Sequence, residues 1–193
     1  IVELATDAET ITGTDTSRAI TPANLQAKVA SATAKGIVEL ATDAEAIAGT
    51  DTERAITPAN LAATTAGARV YNSANQAVAD VTLFTVLFNS ERYDTDTIHS
   101  TASNTSRLTC KTAGKYIIVF LGSFAANATG FRSFQIWLNG TTVIAENNGA
   151  AVPGAGNLTS CSVSSIYNLA VNDYVEAIVY QNSGGSLNLL TGA

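Results

Sequence analysis

The chain has 193 residues, room for one or two domains, and at 46% hydrophobic and 13% charged residues its composition excludes a disordered segment. The net charge is −6 and no Lys/Arg cluster stands out, which argues against a nucleic-acid partner, because neutralising phosphates requires a basic stripe. The longest apolar run, at 116–124, is too short to cross a bilayer as a helix, so no membrane insertion is expected.

No charged segment followed by an apolar one opens the chain, so no signal peptide is expected. The chain begins at Ile1 and contains no Met, and it reads as a fragment whose N-terminus lies upstream. Cys110 and Cys161 fit no zinc spacing and are expected to act as two buried thiols, with a single disulfide between them as the alternative. No cofactor is expected.

A repeat comes first in chain order. Residues 1–27 recur at 37–63, an offset of 36, and the copies differ only at positions 10, 12, 17 and 26 and their partners. Ile-Val-Glu-Leu, at 1–4 and 37–40, predicts a short strand or extended segment. Thr6 and Thr42 precede Glu9 and Glu45 by three residues, the spacing of a capping box, so a short helix should begin there and stop at Gly13 or Gly49. Thr21-Pro22 and Thr57-Pro58 predict a second N-terminus, with Thr as cap and Pro in the first turn. In the first copy that helix is expected to extend through Lys28 to Lys35 and end at Gly36.

One such unit carries few large apolar side chains and cannot bury enough surface alone. It must stack on neighbours or associate with identical chains. A linear helical solenoid is the alternative, but the pattern lacks paired amphipathic helices. The string Ala41-Thr-Asp-Ala-Glu-Ala-Ile-Ala-Gly-Thr-Asp-Thr-Glu-Arg-Ala-Ile-Thr-Pro-Ala-Asn-Leu61 resembles the phage tail-fibre repeat family. That resemblance covers 1–63 and implies a parallel, trimeric fibre shaft ahead of a receptor-binding tip.

From Ala68 onward the pattern turns to strands separated by turn residues. Strands are predicted near 69–72, 81–88, 106–111, 115–124, 131–138, 142–146, 158–169, 173–181 and 186–191. Phe134, Ile136 and Leu138 alternate with Ser133, Gln135 and Trp137, which marks a strand with one face in the core. Residues 116–121 are apolar on both faces, so that strand is expected to be covered on both sides, the second side by a neighbouring subunit. The expected class is therefore mainly β, a C-terminal β-sandwich jelly roll preceded by short α/extended shaft repeats. The expected parts are repeat 1 at 1–36, repeat 2 at 37–66 and the head at 67–193.

Gly114-Lys-Tyr116 before the long apolar strand and the Asn139-Gly140 turn carry a second resemblance. With Val86–Asn89, Tyr93–Asp96, Trp137–Gly140 and Leu169–Val175, they resemble the jelly roll of the tumour-necrosis-factor and complement globular-head superfamily. The C-terminal Leu187-Asn-Leu-Leu-Thr-Gly-Ala193 lacks the aromatic of the family's last strand. The resemblance implies a homotrimeric head.

The connections 125–130, 147–157 and 181–186 are long and rich in Asn, Gly and Ala, and are expected to gather at one end of the sandwich, where binding residues concentrate. The candidate receptor-binding residues are Asn127, Phe131, Arg132, Asn147, Asn148, Asn157, Gln181 and Asn182. Amide side chains both donate to and accept from sugar hydroxyls. Glu91, Asp94 and Asp96 lack calcium-loop spacing and read as a solvated turn. His99 reads as structural, and Trp137 and Tyr180 as packing residues. No catalytic or metal residue is expected, since the tip loops carry no carboxylate except at the boundary near Glu146.

Together these readings give a non-enzymatic, homotrimeric adhesin on a virion tail fibre, assembled in the bacterial cytoplasm. Its expected partners are the upstream shaft and a bacterial surface polysaccharide or outer-membrane protein. A glycan-degrading tailspike and a purely structural trimerisation head are the alternatives.

Overall fold

The computed structural model describes residues 2–28, 30, 37–63, 65–154 and 156–191, and divides into two compact units, 1–65 and 66–193. In the first unit each repeat folds into two short helices, α1 (Asp7–Thr12) and α2 (Pro22–Gln26), then α3 (Asp43–Ala48) and α4 (Pro58–Ala63). The capping boxes form as the spacing requires. The Thr6 hydroxyl accepts from the Glu9 N–H at 3.3 Å, and the Glu9 carboxylate accepts from the Thr6 N–H at 2.8 Å. Thr42 and Glu45 repeat the arrangement at 3.3 and 2.9 Å. Gly13 and Gly49 end the helices with φ of 67° and 63°, a conformation open to glycine without penalty.

The Ile-Val-Glu-Leu segments do not form strands. They form isolated parallel bridges, Leu4 with Ala19 and Leu40 with Ala55. The second helix of the first copy stops at Gln26. Beyond it Ile37 donates to the Lys28 carbonyl at 2.6 Å, and Ala30 donates to Ile37 at 3.0 Å. The remainder of the expected extension, and its end at Gly36, lies outside the described residues.

A guanidinium ties each repeat together. Arg18 meets Glu3 at 3.4 Å, Asp15 at 3.0 Å and also Glu9; Arg54 meets Glu39, Glu45 and Asp51 at 3.3, 2.6 and 2.8 Å. Polar clamps thus set the local geometry where apolar packing is thin. Among the described residues of this unit only Ala5, Thr10, Ala41 and Asn60 are buried, while Leu4 and Leu40 are 59% and 60% exposed.

The described residues of the second unit form eleven strands: β1 Ala68–Tyr71, β2 Gln76–Val78, β3 Phe84–Thr85, β4 Ser90–Asp94, β5 Arg107–Thr109, β6 Gly114–Phe124, β7 Phe131–Leu138, β8 Thr142–Ala150, β9 Thr159–Leu169, β10 Tyr174–Gln181 and β11 Leu187–Leu189. One sheet runs β2-β11-β6-β9; the other runs β3-β10-β7-β8, with β5 also paired to β10. All these pairings are antiparallel, and β1 pairs with β4 separately. Apart from the β7–β8 hairpin, and from β3 and β5, which both pair with β10, successive strands of the sandwich pass between the two sheets, the path of a jelly roll. Phe124 and Phe134 meet edge-on at 5.6 Å across the layers, and Phe120 and Phe134 at 5.9 Å. Gly122 leaves the room they need, since a Cβ there would lie 2.7 Å from the Phe134 ring.

Three sequence expectations shift. The run 81–88 is not one strand: Val81 has φ 54°, and only Phe84–Thr85 pairs, with β10. The short strands β2 and β4 carry no clear apolar alternation. β8 extends to Ala150, four residues past its expected end, because it stays in register with β7 up to Phe131.

Two outcomes follow for the repeats. Thr57→Ala removes the oxygen that accepts from the Asn60 N–H at 3.2 Å, and should cost about 0.5–2 kcal/mol locally, read as faster amide exchange at Asn60 in the full chain. The Thr6 N–H holds the Glu9 carboxyl below its ordinary pKa, and the Ser17 N–H does the same for Asp15; the Thr42 N–H acts on Glu45 and the Glu53 N–H on Asp51. A depressed carboxyl pKa contributes stability that is present above the unfolded value, about 4, and lost as pH falls through the folded one. The repeats should therefore loosen in acid, with the Thr6 and Thr42 amide resonances the first to broaden.

Candidate functional site

The two ends of the sandwich differ. At one end the connections are tight. Asn139 takes φ 52° ahead of Gly140, and its side chain donates to Asp173 at 2.8 Å and accepts from the Tyr174 N–H at 2.9 Å. Cys110 donates from its backbone to Asp173 and accepts from Asn172 at 2.7 and 2.9 Å, closing that end.

At the other end four connections meet. Ala151 donates to the Gly130 carbonyl at 2.9 Å, joining the β8–β9 connection to the β6–β7 connection. The Phe131 N–H donates to Asn182 Oδ1 at 2.6 Å, joining the β10–β11 connection. The β2–β3 turn also arrives: Val81 donates to Gln181 at 2.9 Å and Asp80 accepts from Gly184 at 3.0 Å. The sequence did not single out that fourth turn, because Val81 lies in what reads as a continuous apolar strand.

The eight candidates take different roles in this cluster. Arg132 and Gln181 are fully buried and present nothing to solvent. Gln181 donates to the carbonyls of Val78 at 3.1 Å and Gly185 at 2.8 Å and accepts from Ser183 at 2.7 Å, which fixes the shape of the 182–186 turn. Arg132 reaches under the 125–130 connection and donates to the carbonyls of Asn127, Thr129 and Phe131 at 3.2, 3.0 and 3.0 Å. Burial pushes its pKa down from the ordinary value, yet a guanidinium keeps its charge in proteins. Its Nε has no hydrogen-bond partner among the described residues.

Asn147 and Asn148 lie within β8 rather than in a loop. Asn147 donates to the Ser162 carbonyl at 2.9 Å, bracing β8 on β9, while Asn148 is exposed. Asn157 donates to Pro153 at 2.6 Å and Asn127 accepts from the Thr129 N–H at 2.8 Å, so each closes its own turn. Phe131 is exposed and stacks on Tyr180, ring centroids 5.2 Å apart at 29°. The side chains free to meet a partner are thus chiefly Phe131 and Asn148.

The remaining sequence candidates are structural. Desolvation raises the Asp94 carboxyl, but the N–H groups of His99, Ile98 and Asp96 outweigh it and its pKa lies below the ordinary value. Glu91 accepts from or faces His99 Nδ1 at 2.8 Å, and His99 Nε2 faces the Thr105 carbonyl at 3.1 Å. No group of His, Cys, Asp and Glu able to hold a metal occurs among the described residues. Both cysteines are free thiols with pKa raised by desolvation, but only Cys110 is buried as expected, and Cys161 is half-buried. The Trp137 indole donates to Gln135 Oε1 at 2.6 Å, and Gln135 in turn donates to Glu146 at 2.8 Å, so both lie along the sheet face.

No family model matches the chain, and no curated protein matches it. Among solved structures it is similar to the globular domain of a zebrafish complement 1qA protein, at 15% identity and a TM-score of 0.39, over 63% of this chain and 96% of that one. The jelly-roll assignment stands on the strand order itself.

Gly130 is the joint of the cluster. It has φ 76°, and a Cβ there would lie 2.2 Å from the Asn182 carbonyl oxygen. Gly130→Ala should destabilise the head by about 1 kcal/mol or more, through strain at positive φ plus the clash, read as a lowered melting midpoint.

Proposed function

We propose that the chain is the distal part of a phage-type tail fibre: two shaft repeats followed by a homotrimeric jelly-roll head that attaches to a bacterial surface receptor without catalysis. The observation that carries this reading is apolar surface that one chain leaves uncovered in both units. On the outer face of the β6–β9 pair, Ile117, Val119, Leu121 and Ile166 are 77%, 55%, 72% and 72% exposed, and Ile117 sits directly opposite Ile166. Single exposed apolar residues are ordinary, but a contiguous patch on the longest strand pair marks an interface. Burying these side chains contributes up to about 1.5–3 kcal/mol each. In the repeats Val2, Leu4, Ile11 and Ile20, with their counterparts in the second copy, are similarly bare. Parallel association of identical chains covers both sets at once.

The receptor reading rests on the loop end. Its turns at 125–130, 151–158 and 182–186 contain no Asp, Glu, Lys or Arg, so they offer no carboxylate pair for glycoside cleavage. They do offer amides, small side chains and the Phe131 ring, which suit a bacterial surface polysaccharide. Three copies around an axis make a second and third contact intramolecular, so weak single contacts suffice for attachment.

Attachment of the labelled chain to a panel of bacterial cells tests the reading. Replacing Phe131 and Asn148 together with Ala should leave melting nearly unchanged and clearly reduce attachment. Unchanged attachment would contradict the placement, and release of reducing sugar from the bound cells would contradict the non-enzymatic role. Val119→Asp should abolish assembly, because an unpaired charge is too costly to bury in such an interface.

A further inference from the structure

Arg132 gives the loop end a polarity that its side chains do not reveal. Arg18, Arg54 and Arg107 each face a carboxylate. Arg132 has no carboxylate partner among the described residues: its guanidinium meets three carbonyls and lies 5.7 Å from the centroid of the Phe124 ring, it is 0% exposed, and its Nε lacks a hydrogen-bond partner. A buried cation without a counter-ion is costly unless dipoles or an outside anion compensate it. Here the carbonyls of Asn127 and Thr129 turn inward to do so.

That inward turn has a geometric consequence. No cis peptide bond occurs among the described residues, and in a trans peptide the N–H points opposite to the carbonyl. With the Asn127 and Thr129 carbonyls aimed at the guanidinium, the N–H groups of Ala128 and Gly130 point away from it. Residues 128–130 are exposed, and among the described residues no acceptor meets either N–H. Thr129, between them, gives its own N–H to the Asn127 side chain at 2.8 Å, which holds the turn in shape. Outward backbone N–H groups with positive charge behind them form an anion-accepting surface.

We propose that the 127–130 turn accepts an anionic group, the carboxylate or phosphate of an acidic surface glycan, through the N–H groups of Ala128 and Gly130 with Arg132 as the buried charge behind them. The proposal rests on the reading of this end as the receptor-binding one and names the ligand class. Arg132 touches no ligand; it orients the two donors and supplies field. The connections at 151–158 and 182–186 carry no carboxylate to repel such a group. Asp80, bound to the Gly184 N–H at 3.0 Å, is the acid that approaches the cluster from the β2–β3 side.

The test is an NMR titration of the full chain, following the Ala128 and Gly130 amides. Trigalacturonate supplies the carboxylate arm, glucose 1-phosphate the phosphate arm, and maltotriose the neutral control. The expected result is a saturable downfield shift of both amides with at least one acidic probe, none with maltotriose, and an affinity about tenfold weaker in 0.5 M salt. Arg132→Lys keeps the charge but loses the three-carbonyl grip, and should weaken the shift while leaving the head folded. No shift with either acidic probe, or equal shifts with maltotriose, overturns the proposal. The same result alongside intact cell attachment would leave the adhesin reading standing with a neutral receptor; loss of both would remove the reading beneath it.

Discussion

One strand that is apolar on both faces, β6, sets the terms for the head. β6 and β9 run together over eleven residue pairs, from Gly114 opposite Leu169 to Phe124 opposite Thr159. One face supplies Phe120, Phe124 and Val163 to the core, and the other presents Ile117, Val119, Leu121 and Ile166 outward. Because side chains alternate, the register that buries the first set fixes the second on the opposite side. The chain cannot hide both within a two-layer sandwich. The repeats meet the same limit more severely, since helices of five or six residues have almost no interior to offer.

Where apolar packing is thin, polar clamps carry the shape. In the repeats one guanidinium gathers an extended-segment Glu, the capping-box Glu and a turn Asp, and the second copy duplicates it with Arg54. Such surface ion pairs are individually weak, so they fix the local geometry of each repeat more than they stabilise it. At the loop end of the head the same economy runs inside out. Arg132 and Gln181 are buried, and their donors fix turns that have no side chains large enough to pack. The turns themselves stay small and uncharged, and their chemistry comes from the backbone.

Much of this was legible in the sequence. Capping spacing located the starts of α1 and α3, since the Thr-x-x-Glu bonds are local and need no tertiary context. Period-two alternation found β7, whose Phe134 and Ile136 lie in the core, although Ser133 and Gln135 on its opposite face are buried as well. What failed was non-local. β2 is three residues long and exists because β11 pairs with it, so no pattern of its own marks it. Residues 81–88 read as one strand, but the turn at Val81 is set by its bond to Gln181, a hundred residues away in the chain. The candidate residues show the same division. Asn147 and Asn148 lie within β8 rather than in the loop expected for them, and composition could not reveal that Gln181 points inward. Arg132 looked like a surface charge and is an internal strut, because the alternation of β7 puts it on the core side with Phe134 and Ile136.

Sedimentation equilibrium on the intact chain at micromolar concentration tests the central claim most directly. The account predicts a single species of three chain masses that does not dissociate on moderate dilution. A folded, stable species of one chain mass would contradict it, because the Ile117–Leu121 face would then be tolerated bare in water.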